Sequence, residues 1–177
     1  MIAEIGHYAI VLALMLSVVQ GTLPLVGAYR NDSTLMGVAG PAARGQFLFV
    51  ALAFCALTYA YVVSDFSVAL VAHNSHTLKP MLYKVAGVWG NHEGSMLLWI
   101  LILALFGLMV AEFGRNLPAG LRARVLAIQG LIGVGFLAFL LFTSNPFLRL
   151  DPTPLEGKGL NPLLQDPGLA FHPPFLY

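Results

Sequence analysis

Charged side chains are scarce in this 177-residue chain, which has nine Lys and Arg, eight Asp and Glu, and a formal net charge of +1. Charged residues make up 10% of the sequence and apolar residues 58%, whereas soluble domains have about 25% and about 45–50%. This composition excludes an ordinary soluble domain and indicates an integral membrane protein. The lack of a basic patch or stripe argues against nucleic-acid binding, because such binding depends on neutralising phosphates.

Cysteine is almost absent as well. The single Cys55 lies within an apolar run and can form no intrachain disulfide, so a disulfide-stabilised fold is excluded and the redox compartment stays undetermined. The simplest interpretation is a small residue packed inside the protein.

In place of charge, the sequence has four apolar runs long enough to cross a hydrocarbon core, which takes about 20 helical residues. They lie approximately at 5–28, 47–72, 95–113 and 125–144. The first lacks a basic leading region and a small-residue cleavage site, so we expect a retained span. Backbone polar groups in lipid must bond internally, so all four are expected to be helices, and Gly130, Gly133 and Gly135 should admit a neighbouring helix. The sequence thus predicts an all-α, polytopic membrane protein with a four-span region at 1–144 and a Pro-rich segment at 145–177.

Basic residues next to the spans predict the orientation. The first and third loops carry Arg30, Arg44, Arg115, Arg122 and Arg124, and loop two and the tail carry Lys79, Lys84, Arg149 and Lys158. The positive-inside rule therefore places loops one and three in the cytoplasm and both termini outside it. Loop two and the tail then share one face, together with His73, His76, His92 and His172.

Loop two carries a predicted amphipathic helix at about 78–90. Pro80 suits a first helical turn, apolar residues follow at helical spacing, and Trp89 has a side chain favoured at the headgroup region. We expect this helix to lie along the membrane surface, with Lys79 and Lys84 extended toward water.

The segment that joins this helix to the third span has two interpretations. Glycines break the helix and bring His92 and Glu93 to the mouth of the span. In the structural interpretation, Asn91 or Ser95 caps the span, Glu93 lies near the positive end of the helix dipole and Trp89 anchors the protein at the membrane surface. In the functional interpretation, Trp89, His92 and Glu93 belong to a site in which the His–Glu pair binds a polar ligand or orients another side chain.

Two further polar features are ambiguous. His73 and His76 would align on a helix as metal ligands, but no third and fourth ligand is evident in the sequence, so solvated loop histidines are the simpler interpretation. Asp65 is the one acidic residue placed deep within a predicted span. A functional role, a helix-end cap and a partner for another segment are all open for it.

The tail at 145–177 combines proline with apolar side chains. Its seven prolines argue against a long regular helix, and its apolar content predicts packing on a membrane face or a ligand. His172 lies between Phe171 and the pair Pro173-Pro174, which predicts a fixed backbone in an apolar setting. Such an imidazole suits axial coordination of haem iron, although a packed histidine explains the same residues.

Two stretches closely resemble the cytochrome c maturation family of CcmF and NrfE proteins. They are GVWGNHEGSMLLW at 87–99 and LNPLLQDPGLAFHPPFLY at 160–177, and the opening EIGHYA at 4–9 is similar to the start of the family's chains. The resemblance covers the whole chain, whereas typical family members continue for several hundred residues with many more spans.

The resemblance implies a component of a cytochrome c haem lyase. Such proteins receive haem from the chaperone CcmE, work with CcmH- and CcmI-type proteins that present apocytochrome c, and link the haem vinyl groups to the cysteines of a Cys-x-x-Cys-His motif. By the same resemblance, His172 is the first of two periplasmic histidines that hold the incoming b-type haem. The resemblance assigns no individual role to Trp89, His92 or Glu93.

The resemblance also implies parts that this chain does not contain. The second periplasmic histidine, the Trp-rich WWD loop and the histidines of a second, resident haem belong to segments beyond residue 177 in the family. We therefore expect an amino-terminal fragment or one product of a split gene, inactive as a lyase by itself. Its expected location is the bacterial inner membrane with both termini periplasmic, or the mitochondrial inner membrane if it is a plant split-gene product.

Two other functions are compatible with the residues. A transporter, of haem or another solute, would place polar groups near the membrane midplane, where Asp65 is the one candidate, and would show broken helices or an inverted repeat. A structural subunit that scaffolds an assembly complex would explain the apolar tail without requiring a histidine at 172.

Overall fold

Eight α-helices form nearly all the regular structure of the computed structural model, which describes residues 1–159, 161 and 165–176. The four long helices are α1 (Ile2–Arg30), α3 (Ala39–Val62), α6 (His92–Phe113) and α7 (Ala119–Phe142). The short ones are α2 (Ser33–Gly37), α4 (Ala69–Asn74), α5 (Met81–Ala86) and α8 (Pro167–Leu176), with a 3-10 turn at Gly114–Asn116. Apart from one isolated bridge between Val68 and Arg149, the described ranges contain no strand pairing, so the predicted all-α class is confirmed.

The long helices confirm the four predicted spans. Each is long and apolar enough to cross a membrane, and the second candidate runs from Ser33 to Val62 and so includes α2. Helix α1 packs against α3 and α7, and α6 packs against the same two helices, so the four form a closed bundle. Side chains such as Leu48 and Phe106 stay exposed on its outside, where lipid would cover them. Cys55, expected inside the protein, is also exposed there, because it lies on the outward side of α3.

Glycine sets the closest helix contacts. A Cβ atom on Gly130 would lie 2.8 Å from the backbone nitrogen of Gly21, and one on Gly133 would lie 2.5 Å from Gln46 Nε2. For these two glycines the predicted close approach of a neighbouring helix is confirmed. It is wrong for Gly135, where a Cβ would meet open space.

The second span ends at Val62 and not near residue 72. Ser64 has a φ of 57°, which takes the backbone out of the helix, and Asp65 Oδ1 then accepts from Ser67 N at 3.2 Å. The apolar run continues in α4, where Val71 is buried by other parts of the protein. Asp65 therefore lies in a turn outside the span, and the deep position expected for it is wrong.

The first half of the tail packs along loop two, whereas its apolar content predicted packing on a membrane face or a ligand. Four backbone hydrogen bonds join the two segments: Ala69 N to Leu148 O, Leu150 N to Ser67 O, Lys158 N to Ala72 O, and Gly159 N to Ser75 O. Phe147 is buried at the base of the tail, against Gly6 of α1. These contacts hold the tail to both the start of α1 and the region around α4.

Loop two differs from its prediction in two respects. The helix there is α5, of six residues, and the residues from Gly87 to Gly90 form turns. Lys79 and Lys84, expected to extend toward water, are both buried, each 9% exposed. The glycines at 87 and 90 shorten the helix, and contacts with the turns after α3 and α4 bury the two lysines.

Three glutamines form hydrogen bonds inside the apolar bundle. Gln46 Nε2 donates to Ser17 Oγ at 2.7 Å, and Gln20 Nε2 donates to Gln129 Oε1 at 3.1 Å. Gln129 Nε2 in turn donates to the carbonyl oxygen of Leu103 at 2.6 Å. The polar side chains inside the spans therefore include these amides, whereas Asp65 lies outside the spans, which corrects the expectation from the sequence.

Candidate functional site

One end of the bundle brings together the chain's N-terminus, loop two, the start of α6 and the tail. Arg149 Nη2 lies 2.5 Å from Glu4 Oε1, Thr77 Oγ1 donates to Glu156 Oε2 at 2.5 Å, and Trp89 Nε1 donates to the α8 backbone at 2.8 Å. We call this end, defined by Glu4, Thr77, Trp89, Arg149 and α8, the tail face. Loop two and the tail therefore share a face, as the distribution of basic residues predicted.

His172 lies on α8 and is exposed. The sequence argued against a long regular helix in the tail, and the helix that carries His172 is short: α8 has ten residues and continues through Pro173 and Pro174. Each proline removes one backbone hydrogen bond of the helix, because residues 173 and 174 would otherwise donate to the carbonyl oxygens of residues 169 and 170. The resemblance motif also includes Leu160, Pro162, Leu163, Leu164 and Tyr177, which lie outside the described residues.

Trp89 attaches α8 to loop two. Its indole Nε1 donates to the carbonyl oxygen of Ala170 at 2.8 Å. In a regular α-helix that carbonyl would accept from residue 174, but Pro174 has no N–H to donate. The indole therefore supplies the missing donor at a buried position two residues before His172.

The far end of α8 reaches an apolar groove between α6 and α7. Leu176 lines this groove together with Trp99, Ile102, Leu103, Phe106 and Phe136, and its volume is about 410 Å³. The Trp99 and Phe136 rings meet edge to face, with centroids 6.5 Å apart. Helix α8 thus runs from the Trp89 contact to the outer surface of two membrane-spanning helices.

The structural interpretation of the loop-two junction is confirmed for Asn91. Its Oδ1 accepts from Gly94 N at 2.8 Å, which caps α6, and its Nδ2 donates to the Tyr61 hydroxyl at 3.0 Å. Glu93 lies in the first turn of α6, where the helix dipole favours a carboxylate. His92 is edge-on to Phe139, with ring centroids 6.1 Å apart.

Gly94 allows the sharp entry into α6. A Cβ atom at this position would overlap the carbonyl oxygen of Val88. From the sequence, the glycines at 87, 90 and 94 were expected only to break the helix. The close approach of the Val88 carbonyl gives Gly94 a separate structural role.

His73 and His76 do not form a metal site with each other. His73 is on α4 and exposed, whereas His76 follows α4 and accepts from Leu78 N at 3.2 Å. Glu156 lies 4.0 Å from His76 Nδ1, but it bonds chiefly to Thr77, whose hydroxyl and backbone N–H hold the pKa of Glu156 down at about 2. No group of three or more potential metal ligands occurs among the residues that the structure describes.

Asp65 forms part of a charged junction beneath the tail. Arg149 Nη1 lies 3.6 Å from Asp65 Oδ2 and donates to Ser67 Oγ. The Nη2 atom of the same guanidinium group forms an ion pair with Glu4. The Asp65 carboxylate also accepts from the Ser67 hydroxyl at 2.5 Å. Of the three roles left open for Asp65, the structure bears out the partner for another segment.

The comparisons with known proteins agree on one group. A family model described as "Cytochrome C assembly protein" matches residues 89–177. The cytochrome c-type biogenesis protein ccl1 of Rhodobacter capsulatus is 67% identical over 177 residues, and CcmF of Pseudomonas aeruginosa is 57% identical over 178. Each alignment covers 100% of this chain and 27% of the relative.

A solved structure titled "Cytochrome c Heme Lyase CcmF" is similar in fold. The TM-score is 0.79 at 31% sequence identity, over 83% of this chain and 25% of that one. The chain thus spans about a quarter of the length of the proteins that it matches.

Proposed function

The chain belongs to the cytochrome c assembly protein family, and we propose that it forms part of a haem lyase of the CcmF type. In this proposal it helps to hold haem, delivered by a chaperone of the CcmE type, while the haem is joined to apocytochrome c. The names of its relatives and the fold similarity to a haem lyase support this assignment. Haem is the substrate here, and this chain supplies part of its binding surface.

The observation that carries the proposal is the exposed His172 on a helix attached to the bundle by Trp89. A histidine ring nitrogen is a common axial ligand of haem iron. Phe171 and Phe175 on the same helix are 50% and 87% exposed, and they offer apolar surface of the kind that a porphyrin covers. The described residues therefore fit one axial ligand and part of an apolar wall.

We assign the residues different roles. His172 would bind the iron, and Trp89 would position α8 through its bond to Ala170. His92 and Glu93 would stabilise the start of α6 beneath the site, because His92 packs on Phe139 and both residues lie in the first helical turn. The haem iron would accept the lone pair of an imidazole nitrogen. The thiols of the apocytochrome would bond to carbons of the porphyrin vinyl groups. The protein's contribution would be placement, which brings reacting groups into contact without supplying acid or base.

The proposed setting follows from the family. We propose the bacterial inner membrane, with the tail face periplasmic, and as partners CcmE, the CcmH- and CcmI-type proteins, apocytochrome c and the remaining segments of a CcmF-type protein. The haem in question would be the b-type haem in transit. A second, resident haem would be held by those remaining segments.

The test is haem capture by a full-length CcmF-type protein that includes this sequence. Replacing His172 by Ala should lower the apparent affinity for CcmE-delivered haem at least about tenfold, because even second-sphere partners of metal ligands contribute about 10–100-fold. Haem absorbance of the purified complex measures the effect. His73→Ala, which removes another exposed histidine from the tail face, should retain haem. Equal haem in both variants would remove His172 from the site and favour a scaffolding role.

A further inference from the structure

Two lysines of loop two are buried at the tail face. Lys79 and Lys84 are each only 9% exposed. Lys79 Nζ donates to the carbonyl oxygen of Asn74 at 3.0 Å, and Lys84 Nζ donates to the hydroxyl of Ser64 at 2.8 Å. Each ammonium group has three N–H donors, so a single hydrogen bond to a neutral oxygen leaves donor capacity on both.

Neither ammonium group has an acidic partner. Within the described ranges, the carboxylates of Asp65 and Glu156 pair with Arg149 and His76, and no carboxylate lies within 4.0 Å of either lysine nitrogen. Burying a charge without a partner costs several kcal/mol, so buried charges in proteins are normally paired.

The two charges also act on each other. Burial, and secondly the charge of Lys84, lower the pKa of Lys79 to about 8. The surroundings therefore favour loss of the Lys79 proton. An anion between the lysines would raise this pKa again and favour the protonated form. Lys79 Nζ packs closely against Gly87, where a Cβ would lie only 3.1 Å from the ammonium nitrogen.

We propose that Lys79 and Lys84 form a binding site for one oxyanion group, a phosphate or a carboxylate. Either group would accept hydrogen bonds from both ammonium groups and supply the missing negative charge. The site lies in the loop between two membrane-spanning helices, so the oxyanion can belong to an anionic lipid or to a soluble ligand. This site is independent of His172 and of the proposed haem function.

The test uses the 177-residue chain in an uncharged maltoside detergent at pH 7 and constant ionic strength. Three probes are compared: inorganic phosphate, propionate, and phosphatidylglycerol added to the micelles. At ten times its dissociation constant, a bound probe should raise the Tm by about 3–6 °C. A rise in Tm with phosphate or propionate would show that a soluble oxyanion is sufficient to occupy the site. A rise in Tm with phosphatidylglycerol alone would identify the ligand as a lipid headgroup.

Matched variants locate the effect. Lys79→Gln and Lys84→Gln should abolish the rise in Tm, and Lys158→Gln, which changes the remaining, exposed lysine, should keep it. The first two variants remove an unpaired buried charge, so they should fold. An equal rise in all four proteins, or no rise with any probe, would overturn the proposal.

The pH dependence gives a second measurement on the unaltered chain. The rise in Tm should weaken above pH 8, as Lys79 loses its proton, although phosphate stays a dianion there. Arginines keep their charge in this range, so binding at arginine would not weaken. A rise in Tm that is constant through this range would contradict a role for Lys79.

Discussion

Trp89 shows how a single side chain can compensate for a backbone defect. Pro174 leaves the Ala170 carbonyl without its helical donor, and the Trp89 indole provides one from another part of the chain. The sequence predicted Trp89 as an anchor at the membrane surface or a member of a site, because Trp favours both. It could not predict this bond, since the seven prolines of the tail argued against the helix that contains the acceptor.

We expect Trp89→Phe to loosen α8 selectively. The change keeps an aromatic ring but leaves a buried carbonyl without a donor, which costs about 1–3 kcal/mol. Hydrogen exchange of the α8 amides should accelerate, while that of the α1 and α7 amides stays unchanged. Tyr29→Phe, an exposed change on the last turn of α1, is the control and should leave all regions as they are. Unaltered protection of α8 in Trp89→Phe would show that the bond does not hold the helix.

Among the secondary-structure elements, the long helices were predictable, whereas of the short ones only the loop-two helix was predicted, and α5 is shorter than expected. Four apolar runs identified the spans, because length and hydropathy are sufficient for that purpose. The end of the second span was misplaced, because Val71 in α4 is as apolar as a lipid-facing residue but is buried by protein. Gln20 and Gln46 were overlooked, because single amides hardly change the hydropathy of a long run. Lys79 and Lys84 were misassigned, because only tertiary contacts bury them.

Helix α6 depends on the glycine at its first turn. In Gly94→Ala the added methyl group would overlap the carbonyl oxygen of Val88. We therefore expect the free energy of unfolding to fall by at least about 3 kcal/mol, the upper end of the range for overpacking. Thermal unfolding in detergent measures the loss. Gly120→Ala, in the first turn of α7 with open space around it, is the matched control and should be neutral or slightly stabilising. Similar Tm values for the two variants would contradict the steric argument.

The molecule as a whole has two ends of different character. The tail face carries the N-terminus, loop two, the tail and His172. At the opposite end, Arg44 pairs with Glu112, and Arg124 donates to the Ala28 carbonyl oxygen at 3.2 Å. The sequence predicted this grouping from the alternation of four spans, which brings every second loop to the same end. It could not predict which residues of the tail face would touch, because those contacts join segments far apart in the chain.

The proposed orientation, with the tail face in the periplasm, predicts which introduced cysteines a membrane-impermeant maleimide labels. In a Cys55→Ser background, a cysteine replacing the exposed Leu78 or Leu155 on the tail face should react when the reagent is added to the periplasm. A cysteine replacing Tyr29, exposed at the opposite end, should react only after the membrane is permeabilised. The reverse pattern would place the tail face in the cytoplasm and separate it from apocytochrome c.

The most direct test of the proposed haem function is chemical rescue at position 172. In a full-length CcmF-type protein that includes this sequence, His172→Gly should lose the absorbance of captured haem, because an axial ligand is removed. Added imidazole should restore it, since residue 172 is exposed and the free base can reach the iron. Haem absorbance that is unchanged in His172→Gly, or lost and not restored by imidazole, would contradict coordination by His172.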